Sequence, residues 1–132
     1  SASLDPVNIM LVSKDSSVAS NIKARLEQRG YKISHVANYA QALSGVCNGH
    51  TGLIIVNLDQ NKDVPVLAGK LFAETRLRHV NVIGMSDQPA KLDHSLTSMV
   101  DTLVVTPGPW DDLLREVAFA STKFEKSVSD AA

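Results

Sequence analysis

Three short apolar runs, Asn8-Ile9-Met10-Leu11-Val12, Leu53-Ile54-Ile55-Val56 and Leu103-Val104-Val105, each stop abruptly at small or polar residues. Runs this short, rich in branched side chains and not alternating with polar residues, read as strands covered on both faces in a parallel sheet. Parallel neighbours need long crossover connections, usually helical. In open parallel sheets the chemistry gathers outside the carboxyl ends of the strands. Ser13-Lys14, Asn57, Ser86 and Thr106-Pro107 occupy those ends, so the sites of interest are legible before any side chain is placed.

The segments between the runs carry helix signals. Ser16 and Ser17 stand as caps before Val18, Ile22 and Leu26, which repeat every four residues, and Gly30 supplies a stop. Tyr31, Ile33 and His35, or alternatively Val36, alternate as in a strand nearer an edge. Asn38 caps a second helix carrying Ala42, Leu43 and Val46 that ends near Asn48-Gly49. A polar loop over Asp59 to Asp63 leads to a third helix with Leu67, Leu71 and Phe72 inward. Val80 to Met85 is a fourth strand. A fourth helix follows Pro89 with Leu92, Leu96 and Met99 on one face, and Asp101 to Thr106 forms the fifth strand. Pro109 suits a first helical turn, and Leu113, Leu114, Val117 and Ala118 give the last helix its buried stripe. Five strands alternating with five helices predict an α/β protein. The economical form is a flavodoxin-like doubly wound (βα)5 three-layer sandwich with parallel sheet order 2-1-3-4-5.

Composition bounds the function classes. With 132 residues, 44% of them hydrophobic, the chain has material for one cored domain. That domain is expected at 7-120, after an N-terminal extension or cloning scar at 1-6 and before a polar tail or linker at 121-132. Thirteen basic against fourteen acidic residues leave a net charge of -1, which gives no field to attract nucleic acid or an anionic membrane. No apolar stretch approaches a membrane span, and the start lacks signal-peptide character. The single cysteine, Cys47, rules out an internal disulfide, fits a cytoplasmic, reducing setting, and reads as a small buried apolar residue. His35, His50, His79 and His94 have no metal-ligand spacing. No glycine-rich phosphate loop follows the first strand and no Gly-x-Ser-x-Gly elbow occurs.

From Val7 to about Ala120 the spacing of the strand ends resembles the receiver domain of bacterial two-component response regulators. In that family an acidic pair closing the first strand holds magnesium, and an aspartate closing the third accepts a phosphoryl group. A serine or threonine closes the fourth strand, and a lysine before a cis-proline closes the fifth. The resemblance places the acidic pair at Ser13 and Lys14, the phosphoacceptor at Asn57, the hydroxyl at Ser86 and the lysine at Thr106, before Pro107. Of these only the hydroxyl keeps the family's chemistry. The aromatic switch position falls on Leu103.

An anionic carboxylate attacks phosphorus while a divalent metal neutralises the phosphoryl oxygens. Asn57 is neutral and a poor nucleophile. Ser13, Lys14 and Asn57 offer magnesium no anionic oxygen and add a positive charge. The resemblance therefore implies a degenerate pseudo-receiver: a vestigial pocket of Ser13, Lys14, Asn57, Ser86, Thr106 and Pro107, with no catalytic residue, metal or cofactor. It would signal through a protein partner or by self-association, with an output domain beyond residue 132 as one option. The family's usual face, fourth helix, fifth strand and fifth helix, maps to Lys91, Asp93, His94, Leu103, Trp110, Asp112 and Arg115.

Two rival readings stand beside it. One is an atypical receiver phosphorylated at Asp59 or Asp15. The other is a small-molecule sensor, for instance for a cyclic dinucleotide, using Lys14 or a basic helix face of Lys23, Arg25 and Arg29. Lys14 either hydrogen-bonds the Asn57 side-chain oxygen or is a solvated loop residue, and Trp110 is either a packing residue or an interface anchor.

Overall fold

A computed structural model describes residues 7–60, 65–106, 108 and 110–131. The expectations for residues 1-6, for the loop at 61-63, and for Pro107, Pro109 and Ala132 lie outside them, including a cis peptide before Pro107. Five strands, β1 (Asn8–Val12), β2 (Lys32–Val36), β3 (Leu53–Asn57), β4 (Asn81–Ser86) and β5 (Thr102–Val105), form one parallel sheet in the order β2-β1-β3-β4-β5. Between them run α1 (Ser16–Glu27), α2 (Tyr39–Cys47), α3 (Pro65–Leu77) and α4 (His94–Thr97), and α5 (Trp110–Ala131) closes the chain. This is the flavodoxin-like doubly wound architecture expected from the periodicity.

Alternate residues of each strand face opposite sides, so the sheet has two cores. On one face Ile9, Leu11, Ile55, Ile83 and Met85 pack with Ile22 and Leu26 of α1 and Leu113 and Val117 of α5. On the other, Met10, Val12, Ile54, Val56 and Val82 pack with Tyr39, Ala42 and Val46 of α2 and Leu71 and Phe72 of α3. Each fully buried Leu or Ile contributes about 1.5–3 kcal/mol. β1 and β3 are buried along almost their whole length because both have neighbours on either side.

Helix ends follow local chemistry, with corrections to the sequence reading. The cap of α1 is Asp15, whose carboxylate accepts from the Ser17 and Val18 N–H groups; Ser16 and Ser17 lie inside the first turn. Ala19 takes the inward position and Val18 is 38% exposed, because the buried stripe is set by Ile22 and Leu26 three and seven residues on from 19. Gly30 adopts φ 91° and donates to Glu27 O, while Tyr31 N–H reaches back to Leu26 O, a stop that favours glycine. Asn38 caps α2 through Gln41 N–H, as expected. Cys47, the last residue of α2, is exposed, since Tyr39, Ala42 and Val46 define the inward stripe. Ala118 of α5 is exposed, and Ala120 is buried in its place.

The fourth helix is the largest departure. The expected span after Pro89 is instead a 3-10 turn (Pro89–Lys91) and a four-residue helix, His94–Thr97. Asp93 starts that turn anew, accepting from the Ser95 N–H and hydroxyl, which hold its carboxyl below the usual range. Leu92, Leu96 and Met99 still reach the second core. Downstream, Asp101 Oδ2 accepts the Val82 N–H at 2.7 Å and pins the start of β5 to β4. α5 runs on past residue 120 to Ala131, so the backbone of the segment expected as a tail is helical as far as it is described.

Candidate functional site

The carboxyl ends of β1, β3, β4 and β5 converge on one rim, where the sequence placed the site. Ser13 is fully buried and extends the sheet, its N–H bonded to Val36 O at 3.0 Å. Its Oγ accepts the Asp15 N–H at 3.2 Å, forming the turn into α1. His35 of β2 sits 2.7 Å from the Ser13 carbonyl through Nε2; a carbonyl only accepts, so Nε2 carries the proton. Lys14 lies exposed beside this turn.

Asn57 ends β3 half-buried, and its Oδ1 accepts the Asp59 N–H at 3.0 Å. An asparagine bonding two residues ahead makes an Asx turn, here turning the chain into a 3-10 segment, Leu58–Gln60. That turn delivers Asp59 to the end of β4. Ser86 Oγ donates to Asp59 Oδ1 at 2.6 Å, and the Asp87 N–H donates to Asp59 Oδ2 at 2.7 Å. Ser86 Oγ also accepts the Gln88 N–H at 3.1 Å. Ser86 has no exposed surface. Charge-assisted bonds of this length are among the stronger ones available to a side chain. Nearby in β4, Gly84 leaves room for the Leu58 side chain: a Cβ there would lie 2.7 Å from Leu58 Cδ1. Thr106 completes the rim, its N–H bonded to Ser86 O at 2.9 Å.

Ser13, Asn57, Ser86 and Thr106 are therefore brought to one edge, while Pro107 lies outside the described residues. The magnesium implied by the family resemblance does not fit the donors. Ser13 Oγ and Asn57 Oδ1 are both engaged by backbone N–H groups, and neither is anionic. Among the described residues no group of three or more His, Cys, Asp or Glu is placed to hold a metal ion.

A cavity of about 460 Å³ opens beside this rim, between α1 and the β5–α5 segment. Val18, Ile22, Val104, Val105, Leu113 and Trp110 form its apolar wall. Among the described residues its charged lining is Asp15, Asp59 and Asp87, and Asn57 and Thr106 reach it from the strand ends. Trp110 packs on the core under α1, with the Arg25 guanidinium 4.5 Å from its ring centroid.

The residues assigned to an interaction face come from both sides of the sheet at its β5 edge. Leu103 packs on the α2–α3 side of the sheet with Val100 and Leu92, whereas Trp110 packs on the α1–α5 side. Lys91 and His94 are exposed on the short α4 segment, and Asp112 and Arg115 pair on α5 at 3.4 Å. The residue sequence reasoning undervalued is Asp59. Its signal is an Asn followed two positions on by Asp at the end of a buried strand, which is an Asx-turn pattern.

No family model matches the chain, and no curated protein matches it in sequence. Solved structures do match. The response regulator protein TrrA from Thermotoga maritima, in complex with magnesium and beryllofluoride, is 19% identical with a TM-score of 0.75, covering 86% of this chain and 98% of that one. The N-terminal domain of a response regulator/sensory box/GGDEF three-domain protein from Carboxydothermus hydrogenoformans is 17% identical with a TM-score of 0.76, covering 92% and 98%. The receiver domain of a sensor histidine kinase from Pseudomonas aeruginosa PAO1, with magnesium in its active-site cleft, is 21% identical with a TM-score of 0.71, covering 85% and 94%. The chain has the receiver fold.

Proposed function

We propose that this receiver-fold domain is a regulatory module that signals without phosphoryl transfer, through contact with a protein partner or a second copy of itself. One observation carries the reading: the hydroxyl at the end of β4 already has an anionic partner within the chain, Asp59, at 2.6 Å. In a receiver that hydroxyl answers to the phosphoryl group on the β3 aspartate. Here the β3 terminus is a neutral amide, and a carboxylate two residues later engages Ser86 and the following N–H together. The β4–α4 connection is thus held by a permanent charge in place of a transient one.

The same geometry disfavours Asp59 as a substitute phosphoacceptor. Both its oxygens accept hydrogen bonds, which lowers their nucleophilicity, and among the described residues no group of three or more His, Cys, Asp or Glu is placed to hold a metal ion. No catalytic residue is assigned. A cytoplasmic setting accords with the sequence, and among the described residues no helix is long and apolar enough to cross a membrane. An output domain in the same polypeptide is one form the partner takes; the C. hydrogenoformans relative is itself the N-terminal part of a three-domain protein. The exposed Lys91, His94, Asp112 and Arg115 supply a polar rim on the α4–α5 side for such a contact.

The test is an amide NMR titration with magnesium and then beryllofluoride, the stable aspartyl-phosphate mimic. The expected result is no saturable shift at Asn57, Ser86 or Thr106. Saturating shifts at those residues would overturn the reading and restore a phosphorylated receiver.

A further inference from the structure

We propose that the outward face of α3 is a self-association surface, on which α3 of a second copy of this chain docks antiparallel. The helix buries Ala68, Leu71, Phe72 and Thr75 on its inner side. At about 3.6 residues per turn, the stripe directly opposite those four is Val66, Lys70, Ala73 and Leu77. Val66 at 72% and Leu77 at 73% are the two most exposed of the five large hydrophobics that stand open to water among the described residues. The outer side of a helix packed on a sheet is ordinarily polar, and a helix apolar on both sides is one that is covered on both. Here Lys70 is the sole charge on the outer stripe.

The order of residues along the stripe selects the occupant. Val66, Lys70, Ala73 and Leu77 are spaced four, three and four apart, the spacing of a helix–helix seam, and that spacing is the same in both directions. A twofold axis level with the Leu71–Phe72 bond therefore sets Val66 of one copy against Leu77 of the other, and Lys70 against Ala73. The small alanine leaves room for the lysine stem, whose ammonium reaches toward water. There it comes beside Glu74 of the second copy, one residue on from Ala73. Among the described residues Lys70 makes no ion pair, and Glu74 is held at 3.1 Å by Arg78 on its far side along the helix. Parallel pairing would instead press Lys70 against Lys70. A twofold interface needs this self-complementarity of shape and charge. One helix from each copy covers less than the roughly 800 Å² per partner of a stable complex, so the contact is weak and follows local concentration. The inference rests on the signalling reading only in naming a surface for the self-contact which that reading allows.

Sedimentation velocity of the unaltered chain from about 20 μM to about 1 mM, the span of weak association, should show its mass rising toward that of a dimer. Amide resonances of Val66, Lys70, Ala73 and Leu77 should move over the same range. Leu77→Lys, a change at an exposed position, should weaken the association at least tenfold and leave the amide spectrum of the β-sheet unchanged. Cysteine pairs read the orientation, in a Cys47→Ser background that removes the exposed native thiol. Val66→Cys and Leu77→Cys chains should form a disulfide dimer when mixed under oxidant, and neither should do so alone. In the antiparallel pair the two copies of position 66 lie roughly 16 Å apart along the helix axis, at about 1.5 Å per residue, beyond the reach of a disulfide. A chain still monomeric at about 1 mM, shifts mapping to another face, or self-linking of either cysteine variant as fast as the mixture would each overturn the inference. The beryllofluoride titration reads Asn57 and Ser86 at the strand ends and needs no second copy, so the two readings fail separately.

Discussion

Ser86 Oγ donates a 2.6 Å hydrogen bond to Asp59 Oδ1, joining residues 27 positions apart across the ends of neighbouring strands β3 and β4. The bond ties the β3 exit to the β4–α4 connection, the two segments through which a receiver fold would convert a charge at its rim into a change on its surface.

This bond predicts a coupled loss. Ser86→Ala should cost about 1.5–3 kcal/mol, the range for a hydrogen bond to a charged group that is left without its donor. Asp59→Ala should cost a similar amount, and the double variant clearly less than the sum, with a coupling of about 1 kcal/mol or more. Urea unfolding of the four proteins measures it; additive losses would show that the two side chains do not act as a pair.

Asn57→Asp restores a carboxylate to the end of β3 but leaves Ser13 and Lys14 without anionic oxygens. Incubated with magnesium and acetyl phosphate, this variant should take up no phosphate by intact mass. Stoichiometric phosphorylation would mean that the metal ligands are supplied by residues other than those at the end of β1.

Asp15 holds the start of α1 through the Ser17 N–H at 3.0 Å and the Val18 N–H at 3.2 Å. Asp15→Ala should therefore lower stability by about 1 kcal/mol, and Asp15→Asn should recover most of it because asparagine caps comparably. Thermal melts of the three proteins separate a capping role from one that needs the charge.

Tyr39 is 1% exposed, and among the described residues its hydroxyl has no hydrogen-bond partner. Burial pushes its pKa up to about 12 from 10.0. A folded-state pKa above the unfolded one gives stability that is full below about pH 10 and declines as pH rises toward 12. The loss across that window should be about 2–3 kcal/mol. Tyr39→Phe removes this alkaline loss and should be neutral or stabilising at pH 7, since the hydroxyl is buried without a partner. An alkaline stability profile unchanged by Tyr39→Phe would count against the assignment.

Much of the architecture was legible because burial is written locally. The runs at Ile9–Val12 and Leu53–Val56 could only be two-sided strands, Asn38 and Gly30 marked a helix start and a helix stop, and the alternation of elements left one economical sheet order. Where local signals competed, the reading slipped. Asp15 outcompeted Ser16 and Ser17 as a cap because its carboxylate reaches two N–H groups. The helix expected after Pro89 broke because Asp93 starts a second turn of its own. Tertiary placement lay beyond those signals altogether: Leu103 and Trp110, seven apart in sequence, lie on opposite faces of the sheet, since the chain passes from the edge strand into the α1–α5 layer between them.

By itself the sequence determined the kind of atoms at each strand end: a neutral amide at Asn57, no acidic pair at Ser13-Lys14, a hydroxyl at Ser86. Covalent identity and period fix those. Only the tertiary structure decided what meets what: that Asp59 partners Ser86, that Arg25 lies over Trp110, and that three carboxylates and an apolar wall enclose one cavity. The physical reason is range. Propensity and periodicity act over a turn or two of chain, whereas these meetings depend on the register of adjacent strands and the seating of helices from distant segments, which the packing of the whole core fixes at once.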